Sequence, residues 1–196
     1  MNAPSESAII RVSFDIDQIN SYLIWDVFEV QGARNPYSTE GRHAGAIHFS
    51  KDEPILVQVT ASGLPDAFES MKVLDAMLYT VPHTDGDRYS APSPFSRRRA
   101  TARIVGWARA ELASDAHADS TRKVMTQRSK KALIVTEKDG RWRFSLILTM
   151  EITRKLPDGD KRKEIRVFTF DPEIQVGSGT EPPRGSSGDP GLTHSG

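Results

Sequence analysis

Between residues 141 and 153 the side chains alternate without a break. Even positions are Trp142, Phe144, Leu146, Leu148, Met150 and Ile152, and odd positions are Arg141, Arg143, Ser145, Ile147, Thr149, Glu151 and Thr153. Side chains on a strand point to opposite faces in turn, so this pattern predicts a long β-strand with one apolar and one mostly polar face. Leu156, Pro157, Asp158, Gly159 and Asp160 follow, with proline to preset a turn and glycine to take a positive φ. Residues 161–176 then form a second β-like run that returns beside the first, which makes a long hairpin.

The rest of the chain repeats the signal on a smaller scale. Ile10, Val12, Phe14 and Ile16 alternate with Arg11, Ser13, Asp15 and Asp17, as expected for a half-buried strand. Residues 21–31 are apolar on both parities, which predicts a strand covered in places on both faces. Short strands are expected at 44–49 and 55–60, a longer one at 72–81, and further β segments at 100–107 and 132–137. In the 72–81 strand Val73, Met77, Tyr79 and Val81 share one parity and Leu74, Ala76 and Leu78 the other. Residues 32–41 and 82–99 carry glycine, proline and other turn formers and read as loops. Residues 62–70 read as a connection, and 108–130 as a short helix or irregular chain without a sustained stripe. About eight or nine strands with little helix predict an all-β fold, an antiparallel β-sandwich of immunoglobulin-like or jelly-roll type. The single domain spans 8–176, and residues 177–196, rich in Gly, Ser and Pro, form a flexible tail.

Charge is balanced overall, with 26 Lys/Arg against 26 Asp/Glu, so bulk attraction to nucleic acid or to an anionic membrane is not expected. The balance conceals a division. Residues 1–95 hold 6 basic and 13 acidic side chains, a net of −7, and residues 96–176 hold 19 and 11, a net of +8. Such halves can complement each other within one fold or between copies. No apolar run approaches the ~18 residues that span a bilayer. There is no cysteine and no signal-peptide pattern, and the expected compartment is the cytoplasm.

Chemistry-bearing patterns are weak. Asp85 and Asp87 flank Gly86 in the proline-rich loop, and such oxygen ligands suit a hard cation, but the further ligands of a calcium loop are missing. Asp15 with Asp17 and Asp158 with Asp160 fit turn and surface roles. His43, His48, His83, His117 and His194 lack the close grouping that zinc requires. No nucleophile elbow, dinucleotide fingerprint or phosphate loop is present, so the expectation is a non-enzymatic protein without metal or cofactor. Arg97, Arg98 and Arg99 open a basic sector that could meet Asp85 and Asp87 of a neighbouring copy. Trp25 and Trp107 are the candidates for stacking a carbohydrate or small ligand, whereas Trp142 lies on the inward parity.

Gly140, Arg141, Trp142, Arg143 and Phe144 open the long strand, and Phe168, Thr169, Phe170, Asp171, Pro172, Glu173 and Ile174 close its partner. This hairpin resembles the end of the AidA/PixA family of bacterial inclusion body proteins, which closes on an aromatic-Asp-Pro run. The resemblance implies an all-β, cytoplasmic protein that self-associates into homo-oligomers, sometimes in connection with quorum sensing, and it brings no catalytic residues. Pro172 also has a local role, because a residue without an amide hydrogen ends or bulges a strand. Self-association is therefore the first functional expectation, and a carbohydrate or small-ligand module is the second.

Overall fold

The computed structural model describes residues 8–29, 35–37, 44–83, 91–113 and 121–176. Asp85, Asp87 and the expected tail lie outside them. Twelve strands and no helix occur among the described residues: β1 (Ala8–Asp15), β2 (Ile24–Glu29), β3 (Ile47–Phe49), β4 (Pro54–Gly63), β5 (Phe68–Pro82), β6 (Thr101–Arg103), β7 (Glu111–Leu112), β8 (Lys123–Arg128), β9 (Leu133–Ile134), β10 (Gly140–Lys155), β11 (Lys161–Phe170) and β12 (Glu173–Val176).

They form two six-stranded sheets. The first has the order β2-β1-β4-β8-β7, with β9 on the near end of β4, and the second has the order β3-β12-β10-β5-β6, with β11 also on β10. Both sheets are mixed, where the alternation led to an expectation of antiparallel sheets. β1 runs parallel to β4, and β3 parallel to β12. The cause is connectivity: after β2 the chain crosses to the second sheet as β3 before returning as β4. A crossover of that length frees β4 from the reversal that a hairpin imposes.

β10 is the centre of the second sheet. Trp142, Phe144, Leu146, Leu148, Met150 and Ile152 are all 0% exposed, as their parity required. They share one core with Ile10, Val12, Phe14, Val57 and Val59 of the first sheet. Phe14 of β1 stacks on Phe168 of β11 with ring centroids 4.3 Å apart, which ties the two sheets through their inner faces. β11 and β12 hold one register against β10, with Leu146 opposite Phe170 and Arg143 opposite Glu173. Between them Pro172, which has no N–H to donate, still accepts from the Phe144 amide through its carbonyl at 3.0 Å. The aromatic-Asp-Pro run is thus an interruption in a single edge rather than a turn.

Residues 108–130, read as a short helix or irregular chain, instead hold the strands β7 and β8, and two further stretches depart from the reading of the sequence. Ile24 is 74% exposed, so β2 is covered on one face at that end, through Leu23 and Val27. In β5 the ladder to β10 slips between Met150 and Thr149, where Val73 and Asp75 are the partners and Leu74 is the extra residue. The slip reverses the parity. Val73, Ala76, Leu78 and Thr80 face inward, while Leu74, Tyr79 and Val81 face out.

Candidate functional site: the outer face of the second sheet

The reversal in β5 changes what the sheet presents to solvent. Strand register places Val81 beside Arg143, Tyr79 beside Ser145 and Met77 beside Ile147. On the far side of β10, Thr149 lies beside Val167 and Glu151 beside Ile165. Val81, Tyr79, Met77, Ile147, Val167 and Ile165 therefore cross the sheet as a diagonal apolar belt, with Leu74 at its flank. Val81 is 60% exposed, Val167 51% and Ile165 67%. Scattered exposed apolar residues are ordinary, whereas a contiguous belt over three strands is the kind of surface that marks an interface.

Several of the charges beside the belt are paired within the chain. Arg103 Nε donates to Asp75 Oδ1 at 2.8 Å, Lys163 Nζ to Glu151 Oε1 at 3.0 Å, and Lys161 Nζ to Glu69 Oε1 at 2.6 Å. Lys155 Nζ lies 3.4 Å from the other Glu69 oxygen. The Lys161 hydrogen bond, with the charges of Lys161 and Lys155, holds the Glu69 carboxyl below the ordinary glutamate range against the opposing effect of burial. Covering the belt would therefore not strand an unpaired charge at these positions.

At the upper end of the belt lies a polar notch of ≈ 560 Å³ lined by His83, Arg143, Ser145, Asp171, Pro172 and Glu173. His83 Nε2 stands 3.8 Å from Glu173 Oε1. Histidine, serine and two acids meet here because the ends of β5, β10 and β12 coincide. No group of three or more metal-ligating side chains is found among the described residues.

The residues singled out in the sequence separate. Arg97 is engaged within the chain, its Nε donating to Glu137 Oε1 at 3.2 Å. Arg98 and Arg99 are exposed, with their backbone amides turned to Ser96 Oγ. They precede β6 and so stand at the rim of the belt. Asp85 and Asp87 fall outside the described residues. Trp25 packs on the core, 5.6 Å from the Phe170 ring and 6.3 Å from Tyr37. Trp107 is half-buried in the wall of a second groove.

The belt itself is not legible in the sequence. Parity groups Val81 and Tyr79 with Val73, which is inward, and only the slip at Leu74 separates them. Ile147, a lone apolar residue on the polar face of the opening strand, is the one local signal. No family model matches the chain, and no curated protein or solved structure matches it either.

Proposed function

We propose that this is a non-enzymatic, self-associating protein whose copies pack through the outer face of the second sheet. The observation that carries the reading is the diagonal belt from Val81 to Ile165, exposed and flanked by the internal ion pairs Arg103–Asp75 and Lys163–Glu151. The chain has little of its own with which to cover it. In the segments outside the described residues the large apolar side chains are Met1, Val30, Tyr89 and Leu192. A second copy offers the same belt, and like faces of two sheets pack about 10 Å apart with interdigitated side chains. Arg98 and Arg99 at the rim add a charged component, for which the acidic loop with Asp85 and Asp87 in a neighbouring copy is the proposed counterpart.

The all-β architecture and the Phe170-Asp171-Pro172 closure support placing the protein with the AidA/PixA inclusion body proteins, in the cytoplasm, with a sandwich of immunoglobulin-like or jelly-roll kind. Light scattering over a concentration series at low and high salt tests the association. An oligomer that persists at high salt, with faster assembly at low salt, is expected from an apolar centre with a charged rim. A monomer at every concentration and ionic strength would overturn the reading.

A further inference from the structure

A second groove of ≈ 620 Å³ opens on the flank of the molecule, away from the belt's centre. Its origin lies in the path of the chain. β6 pairs with Met77, Leu78 and Tyr79 of β5, and the Ile104 amide still donates to the Ala76 carbonyl at 2.9 Å. Beyond that point the chain leaves β5 and crosses to the first sheet, where the Ala108 amide donates to the Arg128 carbonyl at 2.8 Å. Among the described residues no strand lies on that side of the first half of β5, and the wedge so opened is the groove. Glu69, Met71, Lys72 and Val73 form one wall, Trp107 and Arg109 the other, and Met125 and Gln127 also line it.

Hydrogen-bond donors converge there. The Val73 amide donates to Gln127 Oε1 at 2.8 Å, so it faces the groove and not β10. Met71 lies two residues before it in unbroken register, and so turns its N–H and C=O the same way. The Trp107 Nε1–H is buried and has no acceptor among the described residues. Lys72 and Arg109 have no carboxylate within salt-bridge distance among those residues, whereas the acids lining the groove are taken: Glu69 by Lys161 and Lys155, and Glu151 by Lys163. An orphaned buried indole N–H costs free energy that an acceptor would recover.

We infer that this groove is a binding site for a short acidic peptide laid in extended form along the open edge of β5. Its backbone would pair with Met71, one carbonyl would accept from the Trp107 indole, and its carboxylates would meet Lys72 and Arg109. Two side chains bound the site: Gln127 on the Val73 amide, and Lys123, whose Nζ donates to the Glu69 carbonyl at 2.6 Å. They confine pairing to the few residues between them and keep a long foreign strand off the edge.

The test is a titration of the whole protein with the synthetic peptide acetyl-Thr-Glu-Val-Asp-Val-Glu, followed by ¹H–¹⁵N NMR. A saturable shift of the Trp107 indole and Met71 amide signals is expected, with binding about tenfold weaker or worse in Lys72→Glu/Arg109→Glu. A peptide with lysine at each acidic position should leave both signals in place. Ile147→Asp, which alters the belt and not the groove, should bind the acidic peptide as the parent does, so the outcome is separate from that of self-association. No shift at millimolar peptide, equal shifts with the lysine peptide, or undiminished binding by the charge-reversed variant would overturn the inference.

Discussion

Gly140 starts β10 with φ at +145°, where a side chain is strained, and a Cβ placed there would come within 2.4 Å of the Trp142 ring. That ring cannot yield easily, because it is fully buried and its Nε1–H donates to the Ala91 carbonyl at 2.7 Å. Gly140→Ala is expected to destabilise the protein by about 2–3 kcal/mol, from backbone strain and overpacking together. Urea denaturation measures it, and an unchanged midpoint would contradict the geometry. Glu69 provides a second test. Its folded carboxyl titrates below the ordinary range, so its contribution to stability is present above the unfolded glutamate pKa and is lost as pH falls through the folded value. NMR titration should find its midpoint below that of an ordinary glutamate, and Lys161→Ala should raise it. A midpoint at or above the ordinary value in the parent would remove the Lys161 hydrogen bond from the account.

Among the elements, legibility follows strict alternation. β1 and β10 can be read because one parity is apolar throughout, and the parity of β10 matches its burial at every even position from Trp142 to Ile152. β8 is not legible. It lies inside the first sheet between β4 and β7, yet its inward residues include Gln127, buried at 6% exposure and bonded to the Val73 amide and the Ala108 carbonyl. A polar side chain at a core position hides a strand from any reading based on hydrophobic period. β5 misleads in a different way, because a single extra residue at Leu74 exchanges the two faces. The exchange can be tested with neighbouring substitutions. Leu78→Asp should abolish cooperative folding, since it buries a charge among Leu146 and its neighbours, whereas Tyr79→Asp should melt within a few degrees of the parent. The opposite order in thermal melts followed by circular dichroism would show that the slip is absent.

At the level of the whole molecule, the two halves of opposite charge serve partly to hold the fold together. Asp15 and Asp17 from the acidic half meet Arg122 and Arg154 from the basic half, and Arg154 also reaches Glu164. Asp75 and Glu69 likewise meet Arg103 and Lys161. Much of the apparent complementarity between copies is therefore already used within one chain, so association has to rest chiefly on the apolar belt. The belt joins β5 to the β10–β11 hairpin, which are far apart in sequence, and Ile147 is its one local signal. Sedimentation velocity on the parent and on Ile147→Asp/Val167→Asp over a concentration series tests this most directly. Both substitutions fall on exposed outward positions, so the variant should keep its fold by circular dichroism. The parent is expected to sediment as a concentration-dependent oligomer and the variant as a monomer over the same range. A parent that stays monomeric, or a folded variant that assembles as the parent does, would contradict the account.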